Sequence, residues 1–372
     1  MRAAAQRNTT CLDAVSFLGA GAYSHHVPAV IDTIAARGEF LTAYTPYQPE
    51  IAQGTLQVLF EFQTFLAQLT GQEIANASLY DGATAAAEAA LMAMRVTKRS
   101  KVVVGNALHP DYRAVLKSYV GNFEGTELTD GEPDEETACV IVQSPDFYGS
   151  PEKYHTWRKK CDDSGAMLIV VINEIVSLGL LPPPVEADIV CGEAQSIGIP
   201  MGFGGPHLGF FACREKFIRQ MPGRLCGMTE DVDGKRGFVL TLSTREQHIR
   251  REKATSNICT NQGLCALAFT VHMSLLGEDG FKGLATLNHE AAIKLADALE
   301  KVDGVTVKND AFFNEFVVEL SKPAQDIVQT LADQGIIAGL ALEGNNLLVT
   351  ATEMTTGEDI EAFTAALTEA LS

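Results

Sequence analysis

The sequence predicts an α/β protein built on a mostly parallel β-sheet, followed by a small C-terminal α+β unit. Short, continuous apolar segments recur between residues 101 and 213, and helical segments separate several of them. Strands that are apolar throughout, rather than in alternation, are typical of parallel sheets covered on both faces. A chain of 372 residues is also too long for one compact core, so two domains are expected.

The N-terminal third of the chain is helical in pattern. Apolar residues three and four positions apart predict two helices, the first opening on Pro28 and the second stopping at Gly71. Residues 76–80, "NASLY", are expected to form a short strand, and "DGAT" after them a turn. The alanine-rich stretch that follows is expected to be a helix.

The middle of the chain supplies the strands of the predicted sheet. These are "KVVVG" at 101, "ACVIVQ" at 138, "AMLIVVI" at 166, "ADIVC" at 187 and "LGFFAC" at 208. After Arg251 the pattern is helical to about residue 303, and the tail then alternates short strands with helices. We therefore expect an N-terminal arm and helix (1–40), a large domain (41–280) and a small C-terminal domain (281–372).

Charge and composition argue against several functional classes. Lys and Arg number 28 against 47 Asp and Glu, a formal charge of −19, which repels nucleic-acid backbones and anionic lipids. No apolar segment approaches the roughly 20 residues that span a bilayer, and the start lacks the apolar run of a signal peptide. The eight cysteines show no Cys-x-x-Cys pair or metal-ligand spacing, so buried free thiols in the cytoplasm are expected, and no metal site.

Two glycine-containing stretches are candidate binding sites. In "YDGATAAAEA", Asp81, Gly82 and Thr84 stand where a strand turns into a helix. Backbone N–H groups at such a point can hold an anion, although an ordinary helix cap explains the same residues more simply. In "FLGAGAYSHH", half of a dinucleotide fingerprint follows no strand, which argues against nucleotide binding. His25 and His26 beside it could still line a cleft.

A proline-rich loop and a basic segment each allow two interpretations. The loop "TAYTPYQPEIAQG" carries Tyr44, Thr45, Tyr47 and Gln48, and it is either a surface loop made rigid by proline or an interface loop, since tyrosine favours interfaces and pockets. The segment 243–262 is rich in arginine and lysine. A solvated helix face with paired glutamates is the simpler interpretation of it, and an anion or subunit contact is the alternative.

The strand end and glycine-rich loop "CGEAQSIGIPMGFGGPHLG", residues 191–209, would suit a catalytic side chain, yet the corner offers Ala194, Gln195 and Ser196. None of the three is a strong nucleophile or base, and no lysine lies between Lys160 and Lys216. The corner therefore has the position of a catalytic site without its chemistry.

Taken in order, several segments closely resemble the glycine decarboxylase P-protein family, specifically subunit 1 of its two-subunit bacterial form. They are "FLGAGAYSHHVPAVID", "GEFLTAYTPYQPEIAQGTLQ", "IANASLYDGATAAAEAALMAMRVTKRSKVVV", "LHPDYRAVLKSY", "MGFGGPHLGFFA" and "REQHIRREKATSNICTNQ". The resemblance implies the fold of type I pyridoxal-phosphate enzymes, with a seven-stranded, mainly parallel sheet in a large domain and a small C-terminal domain.

The resemblance also implies a division of labour between two chains. The family's His-Lys-Thr corner falls on Ala194, Gln195 and Ser196, so the Schiff-base position is Gln195 and no catalytic residue is expected in this chain. Pyridoxal 5′-phosphate would be carried by subunit 2, with two copies of each chain in the assembly. "DGAT", with Gly82 and Thr84, would be a vestigial phosphate cradle.

The implied activity is that of glycine dehydrogenase (aminomethyl-transferring). Together with subunit 2, the chain would decarboxylate glycine and pass the aminomethyl group to the lipoyl arm of the H-protein, and it would not be active alone. Tyr44, Thr45, Tyr47 and Gln48 are expected to reach the partner's active site, with His25 and His26 as further candidates.

Two departures from the family pattern and two alternatives stand beside this interpretation. Family chains usually carry a longer helical segment ahead of Ser16, so an arm that clasps the partner is expected to be shortened or to lie upstream. Asn173 and Glu174 replace the usual aspartate for the pyridine nitrogen, which we interpret as drift. The alternatives are a non-catalytic scaffold or carrier-docking subunit, and an independent enzyme that uses another lysine such as Lys216 or Lys253.

Overall fold

The computed structural model describes residues 2–5, 7–9, 14–42, 44–202, 204–258 and 261–372. The strands in these ranges are β1 Val15–Ser16, β2 Ile74–Ala75, β3 Lys101–Val104, β4 Glu127–Asp130, β5 Thr137–Gln143, β6 Met167–Ile172, β7 Ile189–Glu193, β8 Gly209–Cys213, β9 Leu225–Glu230, β10 Arg236–Thr241, β11 Val305–Val307, β12 Glu315–Leu320, β13 Ile336–Ile337, β14 Leu340–Ala341 and β15 Asn346–Thr350. The helices are α1 Arg2–Ala5, α2 Val30–Ala35, α3 Gln53–Thr70, α4 Gly82–Thr97, α5 Pro110–Val120, α6 Tyr154–Ser164, α7 Gln247–Arg250, α8 Gly263–Leu299, α9 Ala324–Ala332 and α10 Gly357–Leu371.

A seven-stranded sheet forms the centre of the molecule, in the order β2-β8-β7-β6-β5-β3-β4. The five strands from β7 to β4 are parallel, β8 runs antiparallel to β7, and β2 runs antiparallel to β8. The predicted mainly parallel sheet of the type I fold is therefore confirmed. The carboxyl ends of the parallel strands meet at one edge, which is where such folds place their sites.

Both faces of this sheet are covered, which explains why its strands are apolar throughout. Along β6, Leu168, Val170 and Ile172 pack into a cluster with α3, α6 and α8. Their neighbours in β6 point to the opposite face and pack with α4 and α5. Successive side chains of a strand alternate between faces, so a strand buried on both sides needs an unbroken apolar run.

The C-terminal unit is built on a four-stranded antiparallel sheet in the order β11-β12-β15-β14. Its core includes side chains of α8, α9 and α10 and also Phe17, whose ring stacks on Phe363 at 4.4 Å between centroids. β1 pairs in parallel with β13, so the segment that follows residue 14 packs on the C-terminal unit. Helix α8 is interrupted at Gly277, where φ is 60°. The domain boundaries at 40 and 280 stay predictions.

Three elements differ from the sequence prediction. The short strand before "DGAT" lies at Ile74–Ala75 and not at 76–80, where Leu79 makes an isolated bridge to Gly209. Ser78 there has a φ of 87°, which a strand does not allow. The short, polar edge strand β4 and the β9–β10 hairpin were not expected.

Over residues 243–258, the basic segment does not form one solvated helix face. It forms short helical turns, and the side chain of Arg245 is buried, where its guanidinium donates to the carbonyl oxygens of Met221 and Gly223. Arg250, Arg251 and Lys253 are exposed, as the simpler interpretation expects.

The thiols follow the prediction where they can be described. Six cysteines are free and buried: Cys139, Cys161, Cys191, Cys213, Cys226 and Cys265. Cys11 and Cys259 lie outside the described residues. None of the helices in the described ranges is long and apolar enough to cross a bilayer.

Candidate functional site

The corner after β7 is fully enclosed by protein. Gln195 is 4% exposed, and its side-chain amide donates to the carbonyl oxygen of Ile199 at 2.5 Å. The hydroxyl of Ser196 donates to the Glu174 carboxylate at 2.9 Å. The side chains at the corner are thus bound to their own surroundings, and Gln195 has no amine with which to bind a carbonyl compound.

Glu193, the last residue of β7, accepts hydrogen bonds from three backbone N–H groups. One carboxylate oxygen accepts from Gly82 at 3.0 Å, and the other accepts from Leu208 at 2.7 Å and from Gln195 at 3.0 Å. The side chain is almost fully buried, and burial raises its pKa, while the N–H donors and the nearby His207 oppose that shift.

"DGAT" forms a helix cap at the start of α4. The Thr84 N–H donates to the Asp81 carboxylate at 2.8 Å, and the Asp81 N–H donates to the Thr84 hydroxyl at 3.3 Å, a reciprocal capping box. Gly82 packs directly against β7, because a Cβ atom there would lie 2.9 Å from the backbone nitrogen of Glu193. The simpler of the two sequence interpretations, a helix cap, describes this geometry.

An open cleft of about 300 Å³ lies at the carboxyl edge of the parallel strands. Its lining consists of Ala20, Gly21, Ala22, Asp81, Gly82, Ala83, His109, Asp111, Tyr112, Asn173, Glu193 and His207. These residues include no lysine. Lys216 lies at the opposite end of β7, 3.9 Å from Asp188, which immediately precedes that strand.

The residues of this cleft do not fit a bound pyridoxal phosphate. A covalently bound cofactor needs an amine, and its phosphate needs free N–H groups, whereas the cleft is lined by no lysine and the Gly82 N–H already binds Glu193. A carboxylate at that position would also repel a phosphate.

A buried ionic network joins the N-terminal segment to both sheets. The ring of His25 contacts Glu174 at 3.1 Å through one nitrogen and Glu353 at 2.9 Å through the other. Burial alone would lower the pKa of His25, but the two carboxylates outweigh it and raise that pKa to about 10. Asn288 also donates to Glu353, at 2.8 Å. We call these residues, with Ser196, the His25 network.

This network gives Glu174 a role that drift alone does not predict. Glu174 accepts from the Ser196 hydroxyl, from the Val176 N–H and from His25 when the ring is protonated. His26 differs from its neighbour, because its backbone N–H binds Glu353 at 2.7 Å while the residue as a whole is exposed.

Glu315 is a second buried acid close to the cleft. It accepts from the Ala20 N–H at 2.6 Å and from the Tyr23 hydroxyl at 2.8 Å. Burial raises its pKa to about 7, although these two hydrogen bonds oppose the shift, and the neighbouring charge of Glu174 adds to it. Glu315 therefore gains its charge near neutral pH in the folded chain.

We expect Glu315→Gln to change the pH dependence of stability. A carboxyl whose folded pKa exceeds the unfolded value of about 4.5 stabilises the fold below pH 4.5, and that contribution is lost as the pH rises to 7. Between pH 4.5 and 7, the free energy of unfolding of Glu315→Gln should therefore rise by about 3 kcal/mol relative to that of the parent. Denaturant unfolding across this range measures it, with the exposed Glu319→Gln of the same strand as control. Parallel curves for parent and Glu315→Gln would refute the assignment.

The loop with Tyr44, Thr45, Tyr47 and Gln48 lies at the surface. Tyr44 is 50% exposed, and its hydroxyl donates to the Gln48 side chain at 3.0 Å. Tyr47 is 44% exposed, and its hydroxyl accepts from the buried guanidinium of Arg224. The Arg224 guanidinium also lies 4.9 Å from the centre of the Tyr47 ring. The buried Arg224 therefore anchors the loop through Tyr47, and the rings of Tyr44 and Tyr47 are both partly exposed to solvent.

Sequence reasoning missed Glu193, His207 and Glu353 among the residues that shape this region. An acid in the otherwise apolar "IVCGEA" was the visible signal for Glu193, because an unpaired carboxylate at a buried strand end is costly. Glu353 lies 328 residues from His25, and no local pattern connects the two.

Comparisons with known proteins place the chain in one family. The profile of the family described as glycine cleavage system P-protein matches residues 1–367. A protein from Rhodospirillum centenum named probable glycine dehydrogenase (decarboxylating) subunit 1 is 57% identical, and the match covers 99% of this chain and 87% of that protein. A protein of the same name from Parvibaculum lavamentivorans is 55% identical, with the same coverage.

One solved structure agrees with this result, and a more distant one shows the fold. A crystal structure of glycine decarboxylase (P-protein) of the glycine cleavage system, in inhibitor-bound form, superposes with a TM-score of 0.95 at 46% identity, covering 100% of this chain and 88% of that one. The cystine C-S lyase C-DES shares the fold, with a TM-score of 0.68 and 14% identity over 96% of this chain and 97% of that one. A mutant of that enzyme was solved with glycine covalently linked to the pyridoxal-phosphate cofactor. The chain belongs to the glycine cleavage system P-protein family.

Proposed function

We propose that this chain is the subunit of glycine decarboxylase that does not bind the cofactor covalently, and that it acts with subunit 2. The observation that carries the proposal is the side chain of Gln195, which has no amine and is bound to the Ile199 carbonyl, at the position that the resemblance aligns with the family's Schiff-base lysine. A P-protein chain whose own corner has no amine needs another chain to supply it. Pyridoxal phosphate is then bound by subunit 2, in an assembly with two copies of each chain.

The loop with Tyr44, Thr45, Tyr47 and Gln48 is our candidate for the contact with the partner's active site. Apolar side chains on and beside it are unusually exposed: Leu41 by 59%, Tyr44 by 50%, Tyr47 by 44% and Ile51 by 72%. A cluster of exposed apolar and aromatic side chains is typical of an interface. His26 is a second candidate because it is exposed, whereas both ring nitrogens of His25 are bound inside the chain.

The proposed reaction is the decarboxylation of glycine with transfer of the aminomethyl group to the lipoyl arm of the H-protein. Cofactor chemistry in such enzymes stabilises the negative charge left by departing carbon dioxide. The part assigned to this chain is to complete the pocket, to exclude water from it and to orient the substrate through the tyrosine loop.

Tyr44→Phe tests whether this loop takes part in the reaction. The change removes one hydroxyl and keeps the ring, so the complex with subunit 2 should assemble at unchanged size. Loss of one hydrogen bond to a charged group costs about 1.5–3 kcal/mol, roughly ten- to a hundredfold in rate. The exchange of labelled carbon dioxide into glycine, measured on size-purified complexes with lipoylated H-protein, should fall by that factor.

Tyr148→Phe is the matched control, because Tyr148 is 46% exposed and lies outside the loop. Tyr47→Phe should lower activity too, and it should also destabilise the isolated chain, since Arg224 loses a hydrogen-bond partner. Full activity in assembled Tyr44→Phe, Tyr47→Phe and Gln48→Ala complexes would instead identify the chain as a scaffold or carrier-docking subunit.

A further inference from the structure

Backbone N–H groups from three segments of the chain converge on one carboxylate at the cleft. Gly82 opens α4, Gln195 belongs to the corner after β7, and Leu208 precedes β8. All three donate to the carboxylate of Glu193. A cluster of N–H donors from converging segments is a binding place for an anion.

The start of α4 strengthens the attraction for negative charge at this point. The helix runs from Gly82 to Thr97 over 16 residues, and the aligned peptide dipoles place partial positive charge at its first turn. A further N–H of that turn, the one of Thr84, is already bound by Asp81. Glu193 therefore has the position that an anionic ligand of α4 would take.

We infer that Glu193 is a built-in replacement for a bound phosphate: its carboxylate fills the anion site at the start of α4, so that this chain excludes phosphate groups there. The inference deepens the proposed function, since it names the residue that leaves cofactor binding to subunit 2. The role that it gives Glu193 rests on that function, whereas the contacts themselves lie within this chain.

The residues around Glu193 leave little room for a phosphate. Tyr112 is buried, and its hydroxyl packs against Gly82. The ring of His207 lies 3.8 Å from the carboxylate, a weak charge contact on the cleft side. A phosphate would have to displace a carboxylate that already satisfies three donors, and it would have to do so beside Asp81.

Glu193→Ala should convert this point into a phosphate site. The variant leaves three N–H groups without their acceptor, and buried donors without partners are costly. We expect the isolated variant to melt at a lower temperature than the parent and to recover with inorganic phosphate. Isothermal titration should show phosphate binding at least about tenfold tighter than to the parent, and sodium chloride of equal ionic strength should not reproduce the recovery.

Glu193→Gln is the matched control, because the amide keeps the volume of the side chain and one acceptor oxygen. It should gain little or no phosphate binding. Glu193→Ser, which opens the same space and leaves a hydroxyl near Gly82, serves as a second opening variant and should gain phosphate binding like Glu193→Ala.

Two results would overturn the inference. One is a folded Glu193→Ala or Glu193→Ser chain that binds phosphate no better than the parent. The other is saturable phosphate binding by the parent chain itself, a measurement that does not require any variant to fold. Neither result involves subunit 2 or glycine, so failure here is separate from failure of the proposed function.

Discussion

Replacing His25 with glutamine is expected to destabilise the folded chain by about 3–5 kcal/mol near pH 6.5. The substitution removes the positive charge that lies between Glu174 and Glu353, whose side chains are only 3% and 11% exposed. Two carboxylates that are largely out of water would then be left without the cation that lies between them. Breaking a buried ion pair costs more than breaking one at the surface, because the remaining charge stays out of water.

The loss caused by His25→Gln should depend on pH in a defined direction. The folded pKa of His25 is about 10 against an ordinary value of 6.5. The stabilisation is therefore complete below pH 6.5 and is lost as the pH rises through 10. Denaturant unfolding at several values between pH 6.5 and 10 should show the parent approaching the variant.

His26→Gln is the control for this experiment. His26 is the adjacent residue and is exposed, and the atom that binds Glu353 is its backbone N–H, which the substitution keeps. We expect the free energy of unfolding of the His26→Gln variant to differ little from that of the parent. If His25→Gln and His26→Gln unfold at the same denaturant concentration as the parent at pH 6.5, then His25 does not carry the charge of the network.

The sequence was sufficient to predict the parts of the fold that follow from periodicity and burial. Strands such as β6 are apolar on both faces because α3, α6 and α8 cover one face and α4 and α5 the other. Helix α3 ends at Thr70, and Gly71 caps it with a φ of 65° that suits glycine, so the end of the helix was predictable as well. Each of these features depends on residues that are close together in the sequence.

The β9–β10 hairpin was missed because its pattern is mixed. Its strands carry polar and apolar residues together, and β10 packs partly on α3, so neither strand is an uninterrupted apolar segment. The turn between them contains Gly234 with a φ of 77°. A glycine after Asp233 was the available sign of a turn.

The chemistry of the site depends on contacts between distant residues, which local patterns do not reveal. The Gly82 N–H meets Glu193 across 111 positions, and His25 meets Glu174 across 149. The sequence showed that the corner lacks an amine, through Gln195. It did not show that a neighbouring carboxylate binds the helix start, because that needs α4, β7 and β8 in their folded positions.

Gly82→Ala is expected to be among the most damaging single substitutions in the chain. A Cβ atom at this position would lie 2.8 Å from the backbone carbon of Gly192 and 2.9 Å from the backbone nitrogen of Glu193, and it would overlap the Tyr112 hydroxyl. β7 is hydrogen-bonded on both sides, to β6 and β8, so its backbone has little freedom to move away. Overpacking of this kind costs about 3 kcal/mol.

This substitution separates two reasons for a glycine at the start of α4. If Gly82 serves only to let a phosphate approach, the isolated chain should tolerate alanine; if it serves the packing of α4 on β7, the chain should lose stability without any ligand. Gly283→Ala is the control, because this helical position has no atom within 4 Å of the added Cβ and should gain up to about 1 kcal/mol. Adding Tyr112→Phe to Gly82→Ala removes the hydroxyl overlap but not the two backbone contacts, so it should restore only part of the loss. Equal denaturant midpoints for Gly82→Ala and Gly283→Ala would mean that α4 can shift away from β7, and that packing is not the reason for the glycine.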